Sequence, residues 1–225
     1  TLWFSTEAPL VERDGLYLDG DVARGAGVLA DLEPLPLKHE RLVGHHNRQN
    51  ALAALLIAYA LGYTAGGWEP VMEGYRGFDG LEHRLEWVLE ADGVRYINDS
   101  KATNDVSAGV ALRAIDGGVL LLAGGRSKNA GYGALLEAAE SAELVKVFAF
   151  GEAGPEIHEA FSSGGFQSEV CTGLAHAVES AAAAASAGQC VLLSPACSSF
   201  DEFANYAERG RSFKQFVRDV TEVRA

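Results

Sequence analysis

Apolar positions along the chain follow two rhythms. Over residues 1–38 they come in short stretches, Leu2 to Phe4, Leu16 to Leu18 and Leu35 to Leu37, punctuated by Gly, Asp and Pro as in strands and turns. This β-rich segment reads as the truncated end of a larger sheet. From Asn47 to Leu61 the run NRQNALAALLIAYAL is apolar around most of its circumference. It predicts a buried helix entered through the turn Gly44-His45-His46. A shorter helix is expected after Pro70. Gly74, Gly77 and Gly80 then interrupt any periodicity around Phe78. A domain boundary near Leu81 follows, dividing residues 1–81 from 82–225.

Beyond the boundary, Arg84 to Glu90 and Val94 to Ile97 flank Asp92-Gly93, a strong hairpin signal. Apolar runs at Val119 to Ala123, Val145 to Phe150 and Val191 to Leu193 then alternate with helical stretches at about 105–116, 133–141, 153–163 and 173–187. Such alternation predicts an α/β domain with a mostly parallel sheet. The Ala181 to Ala185 run is explained by helix propensity alone. Residues 201–224 predict one or two amphipathic helices broken at Gly210.

Composition narrows the function classes. The chain is 48% hydrophobic and 22% charged, globular values, and no apolar run reaches the roughly 20 residues of a membrane span. A formal net charge of −13 without any Lys/Arg-rich block argues against nucleic acid as a partner. Cys171, Cys190 and Cys197 lack CxxC spacing, so reduced thiols in a cytoplasmic protein are expected. No targeting signal is visible at Thr1 to Thr6.

Three polar segments each follow a predicted strand: Asn98 to Asn104 (NDSKATN), Gly124 to Lys128 (GGRSK) and Ser194 to Ser199 (SPACSS). In an open α/β sheet ligands bind beyond the carboxyl ends of strands, so the three should converge on one rim. That rim would offer Lys101 and Lys128, the hydroxyls of Thr103 and Ser199, and backbone N–H groups freed by Gly124-Gly125. These are the parts of an anion site. Each part also has a plain structural reading. Asp99, Ser194 and Ser199 are possible helix caps, and the two lysines possible solvated charges. Cys197 fits a small buried hydrophobe better than a nucleophile. His45 and His46 are adjacent, and adjacent residues seldom share a metal. Asn47 and Asn50 lie on one helical face, placed either to read a base or to cap.

Gly44-His45-His46-Asn47 with Asn50, FDGLEHR at 78–84, NDSKATN, GGRSK and LLSPACSSFDEF at 192–203 together resemble the Mur ligase family, in motif order and at family spacing from about Gly44 to Val217. NDSKATN stands where other members carry DYAH-like or DGAHNP-like segments, and points to the D-glutamate-adding branch. The resemblance implies a Rossmann-like carboxy-terminal domain preceded by the end of a P-loop-type central ATPase domain. It implies ATP and Mg2+ as cofactors, with the Mg2+ ligands upstream of this chain. The implied partners are D-glutamate and UDP-N-acetylmuramoyl-L-alanine, the latter bound mainly by a domain not present here.

By the same resemblance Asn47 and Asn50 would approach the adenine, while Arg84 and Asp99 would contact ATP phosphates or ribose. Lys101, Thr103, Lys128, Ser199 and the Phe200 backbone would hold the D-glutamate carboxylates, with Tyr206 as an aromatic ring against it. His83 and Lys101 are the expected catalytic residues. The implied reaction phosphorylates the acceptor carboxylate, and the D-glutamate amine attacks the acyl phosphate, a step of peptidoglycan precursor synthesis. No GxxxxGK[S/T] loop occurs between Thr1 and Ala225, so the chain alone is expected to be inactive. The competing expectations are another amide ligase of this family and a catalytically silent anion-binding module. A dinucleotide-dependent oxidoreductase is disfavoured by the lack of GxGxxG.

Overall fold

The computed structural model describes residues 1–39, 41–128 and 131–222. It divides into two compact units, Thr1–Asp79 and Gly80–Ala225. Among the described residues no helix is long and apolar enough to cross a membrane.

In the first unit, strands β1 (Trp3–Ser5), β2 (Gly15–Asp19), β3 (Val22–Ala26) and β4 (Leu35–Pro36) form a sheet in that order. The β1–β2 pair is parallel and the others antiparallel. Strand β3 was not foreseen, because Ala23 and Gly25 carry little strand preference. Helices α1 (His45–Ala60) and α2 (Glu69–Arg76) complete the unit, the second opening with Pro70 in its first turn, where a missing N–H costs nothing. Helix α1 departs from the expectation of all-round burial. It packs Ala51, Leu52, Leu55 and Leu56 against Leu16, Leu35 and Met72, while Ile57 stays 59% exposed. One small sheet can cover only one face of a helix.

The second unit is the α/β domain. Its strands are β5 (Glu86–Ala91), β6 (Val94–Asn98), β7 (Val119–Gly124), β8 (Leu144–Phe150), β9 (Ser168–Val170) and β10 (Cys190–Ala196). They are arranged β5-β6-β10-β7-β8-β9, antiparallel only at β5–β6. The β5–β6 hairpin turns at Asp92 (φ 52°) and Gly93 (φ 73°), the left-handed pair that an Asp-Gly turn supplies. Helices α3 (Asp105–Arg113), α4 (Gly133–Ser141), α5 (Gly154–Ser163), α6 (Leu174–Ala184) and α7 (Tyr206–Glu222) surround the sheet. Leu120, Leu122, Val191 and Leu193 pack with Val178, Phe213 and Val217 of α6 and α7. The alternate residues Leu121 and Leu192 are equally buried. Continuous rather than alternating burial is what a parallel sheet covered on both faces requires.

Helix α7 corrects one expectation: it runs unbroken through Gly210. A Cβ there would lie 2.3 Å from Nδ1 of His83, so this glycine serves close packing rather than termination. Strand β10 sits between β6 and β7, so these three carboxyl ends are neighbours at one edge.

Candidate functional site

Backbone pairing continues beyond the strands. The Asp99 N–H donates to Leu193 O (2.7 Å), and Arg126 and Ser198 exchange backbone bonds of 2.9 and 3.2 Å. Gly125 permits this approach: its φ is 124°, and a Cβ would fall 2.2 Å from Ser198 O. The segments 98–104, 124–128 and 194–199 are thereby joined at one rim.

Beneath the rim lies Arg209 of α7, fully buried. Its guanidinium donates to Ser100 Oγ (3.0 Å), Ser100 O (2.9 Å), Cys197 O (3.1 Å) and Gly124 O (3.4 Å), touching all three segments. Burial pulls its pKa down to about 10, which still leaves it charged at neutral pH. Among the described residues no carboxylate comes within ion-pair distance of it. Three carbonyl oxygens and the Ser100 hydroxyl accept its hydrogen bonds, and the negative charges of Asp201 and Glu202 at longer range help to hold it cationic. Sequence reasoning missed this residue, since a lone Arg in an amphipathic helix reads as surface and nothing in its local sequence marks it as buried.

Above the rim, Thr103, Ser127, Lys128, Tyr132 and Cys197 line a cavity of about 30 Å3. Lys128 is exposed and Thr103 half-buried. The Tyr132 hydroxyl donates to Glu156 (3.4 Å) and lies 3.7 Å from Cys197 Sγ. Burial pushes up both the Tyr132 phenol and the Cys197 thiol, which leaves Cys197 unsuited to nucleophilic attack. Ser199 is buried, and its carbonyl accepts from Phe203 N (2.8 Å); Phe200 projects, 61% exposed. Lys101 is exposed, with its ammonium 5.6 Å from the Tyr206 ring centroid. A larger hollow of about 460 Å3 in the first unit is walled by Val28, Leu32, Leu35 and Trp68, with Asp31 and Glu33 as its polar side chains. It offers no cation for an anionic ligand.

The capping readings are overturned. Helix α3 is capped by Asn104, whose side chain accepts from Ser107 N (2.8 Å). Asp99 instead accepts from Leu85 N (3.2 Å) and Ser194 Oγ (2.8 Å), and burial pushes its pKa up to about 7. Ser194 lies within β10, and no helix begins at Ser199. In the first unit α1 starts from Gly44 without a side-chain cap. Asn47 donates to Val43 O (2.8 Å), and Asn50 is exposed.

A second network surrounds His83, a buried residue with a left-handed backbone (φ 66°). Arg84 beside it is exposed. Asn98, the last residue of β6, lies 3.0 Å from His83 Nδ1 and donates to Glu86 Oε2 (2.8 Å) and Gly210 O (3.3 Å). Lys214 of α7 bridges Glu82 (2.6 Å) and Glu86 (2.8 Å). Burial holds the His83 pKa below its usual value. Among the described residues Glu82, His83 and Glu86 are the one group with metal-ligand proximity. They do not fit a divalent cation, because the Lys214 ammonium already links the two carboxylates and Asn98 engages Nδ1.

Comparison with known proteins places the chain among its relatives. Residues 83–197 match the model of the Mur ligase glutamate ligase domain. The chain is 41% identical over 227 residues to the UDP-N-acetylmuramoylalanine--D-glutamate ligase of Hahella chejuensis, covering 96% of this chain and 48% of that protein. Against the enzyme of the same name from Myxococcus xanthus it is 45% identical over 185 residues, 82% of this chain and 40% of the relative. The chain thus spans about half the length of these curated relatives. In fold it is similar to the UDP-N-acetylmuramate-alanine ligase of Thermotoga maritima, with a TM-score of 0.63 at 19% identity over 93% of this chain and 47% of that one. With its glutamate ligase domain matched across the β6, β7 and β10 rim, the chain belongs to the Mur ligase family.

Proposed function

We propose that this chain supplies the amino-acid-binding half of an ATP-dependent ligase that adds D-glutamate to UDP-N-acetylmuramoyl-L-alanine. The observation that carries the reading is the rim itself. Exposed Lys101 and Lys128 stand over backbone turns tied together by a buried cation, on the domain shared with D-glutamate ligases.

In this reading Lys128, Thr103 and the buried Ser199 with the Phe200 N–H hold the two carboxylates of D-glutamate, and Tyr206 closes the site beside Lys101. A dianionic amino acid suits two lysines that meet no carboxylate partner among the described ion pairs. Arg84, which is exposed, is assigned to the ATP phosphates or ribose. Asn47 and Asn50 of the first unit are assigned to the adenine. ATP supplies the phosphoryl group that activates the acceptor carboxylate. The chain's residues then fix the D-glutamate amine for attack, a contribution of position and charge neutralisation rather than of covalent catalysis. Asp99 has both oxygens engaged within its unit, so its role toward nucleotide runs through the Leu85 backbone that it holds. The Mg2+ of the reaction finds no ligand set in the Glu82–His83–Glu86 group, whose two carboxylates are held by Lys214.

The test is acceptor-dependent phosphate release by the full-length enzyme with D-glutamate, L-glutamate, L-alanine and meso-diaminopimelate. Turnover with D-glutamate alone is expected. Equal turnover with another amino acid overturns the assignment.

A further inference from the structure

The buried imidazole of His83 has one nitrogen whose hydrogen bonding is settled and one that has none. Asn98 Oδ1 accepts from the Ser100 N–H (3.1 Å), a donor that cannot reverse its role. Its Nδ2 faces the Gly210 carbonyl (3.3 Å) and Glu86 Oε2 (2.8 Å), both acceptors. The orientation of the amide is thereby fixed from both ends, with Nδ2 as the donor. The same Nδ2 stands 3.0 Å from His83 Nδ1. A protonated Nδ1 would set two N–H groups against each other, so Nδ1 is the lone-pair nitrogen and the proton sits on Nε2.

Nε2 is buried and lacks a hydrogen-bond partner, the single such side-chain atom among the described residues. The nearest carboxylate oxygen, Glu82 Oε1, is 3.7 Å away and is held by Lys214. A buried donor left without an acceptor costs about 1–3 kcal/mol, so its persistence calls for an explanation. The backbone points the same way. His83 (φ 66°) and Leu85 (φ 43°) are both left-handed. Three bonds hold the turn: His83 N to Glu86 Oε2 (3.0 Å), Leu85 N to Asp99 Oδ1 (3.2 Å) and Lys101 N to His83 O (3.1 Å). Strain maintained by so many contacts is a mark of a functional position.

We propose that Asn98 is a positioning residue that fixes His83 as the neutral imidazole with its proton on Nε2, and that this N–H donates to a phosphoryl oxygen during the ligase reaction. The choice of a phosphoryl oxygen rests on the cations of the same turn. Arg84 follows His83 in sequence, and Lys101, bonded to the His83 carbonyl, shares the Tyr206 ring with it, the imidazole lying edge-on at 5.9 Å between centroids. The groups facing the imidazole are Glu82 from its own turn, Glu86 from β5, Asn98 from β6, and Tyr206, Arg211 and Lys214 from α7. Lys214 ties up both glutamates. A proton on Nε2 leaves Nδ1 as the ring's single lone pair, and that lone pair faces the Asn98 amide at 3.0 Å. This inference rests on the ligase reading for its acceptor and on the chain alone for its tautomer.

The two parts are tested separately. Long-range 1H–15N correlation spectra of the 225-residue chain, from pH 6 to 8, are expected to show Nδ1 unprotonated and Nε2 protonated. A proton on Nδ1 overturns the proposal. Asn98→Asp, which puts an acceptor opposite Nδ1, is expected to draw a proton there. In the full-length enzyme His83→Gln retains an amide donor near the Nε2 position, while His83→Asn places it near Nδ1. His83→Asn is expected to lower kcat about 100-fold. His83→Gln should recover at least about tenfold of that loss, with KM for D-glutamate within about twofold in both. Equal loss in the two variants, or loss confined to KM for D-glutamate, overturns the donor role. A wild-type enzyme that makes no D-glutamyl product sinks the ligase reading and the phosphoryl acceptor together, and leaves the tautomer to be judged by the spectra.

Discussion

In Gly80–Ala225 the central strands are covered on both faces, Val119 to Ala123 and Cys190 to Leu193 each at 0% exposure, whereas in Thr1–Asp79 the edge strand β1 leaves Trp3 44% and Phe4 45% exposed. The second unit also anchors its loops from within. Arg209 and Asn98 hold the strand ends by seven bonds or close contacts to carbonyls, a hydroxyl, an imidazole and a carboxylate. The ion pairs of the first unit, such as Arg24–Asp19 and Arg41–Asp79, are solvent-exposed. Exposed pairs contribute about 0–1 kcal/mol each, so geometry there rests on a small apolar core. An anion site needs donors that do not relax when the ligand arrives, and the second unit supplies that rigidity.

The largest expected effect concerns the activity of the chain on its own. Neither unit contains a GxxxxGK[S/T] loop. Incubated with ATP, magnesium, D-glutamate and the UDP-linked acceptor, the 225-residue chain is expected to form no ligated product and to release no phosphate above the blank. Acceptor-dependent turnover would mean that the second unit's rim is not the half-site described above.

Next in size is the buried cation. Replacing Arg209 with Met leaves Ser100 O, Cys197 O and Gly124 O without their donor and is expected to destabilise the second unit by about 2–4 kcal/mol. Hydrogen exchange resolved by segment should show faster exchange in residues 98–104, 124–128 and 194–200 and no change in Thr1–Asp79. Uniform acceleration across both units would show that they do not unfold separately. A smaller effect is expected at the surface of the rim. In the full-length enzyme Lys128→Ala should raise KM for D-glutamate about 10- to 100-fold, the worth of one charge-assisted hydrogen bond, and leave KM for ATP nearly unchanged. Arg84→Ala should do the reverse. Similar effects of both substitutions on both substrates would erase the distinction between the two sides of the rim.

Much of the second unit was legible in the sequence because its signals are local. The Asp92-Gly93 turn, the apolar runs of β7, β8 and β10, and the Gly-Gly at the end of β7 each follow from residue type and spacing. What escaped is long-range. Strand β9 has three residues, Ser168 to Val170, and forms only because β8 offers it an edge. Asn98 was read as part of a loop, yet it ends β6 and touches His83, Glu86 and Gly210, the last 112 positions away. Gly210 reads as a helix breaker by residue type alone, because its packing role, making room for an imidazole from another element, has no trace in its own neighbourhood. The polar segments could be placed on a common rim, but Arg209, which joins them from below, could not.

A still smaller effect separates Asp99 from His83 by pH. Asp99 has a folded-state pKa raised by burial from 3.8 to about 7, against the opposing pull of Ser194, Leu85 and Arg84. Between these values the folded protein binds a proton that the unfolded chain releases. The stability gained from the neutral carboxyl is thus complete below about pH 4 and lost as pH rises through 7. His83 works in the opposite sense: burial lowers its pKa below 6.5, so the stability it contributes is present above that value and lost as pH falls. Asp99→Asn keeps an oxygen for the Leu85 N–H and an amide for Ser194 Oγ to accept from, while removing the ionisation. Its Tm should therefore exceed that of the wild type by about 2–4 °C at pH 8, corresponding to about 1 kcal/mol, with the gain shrinking steadily from pH 7 to pH 5. The effect is kept small by relaxation around the carboxylate once it ionises. Calorimetric scans at pH 5, 6, 7 and 8 decide the matter. A difference that is constant across the range would show that Asp99 keeps one charge state throughout, and that burial at this end of β6 weighs less than its hydrogen bonds.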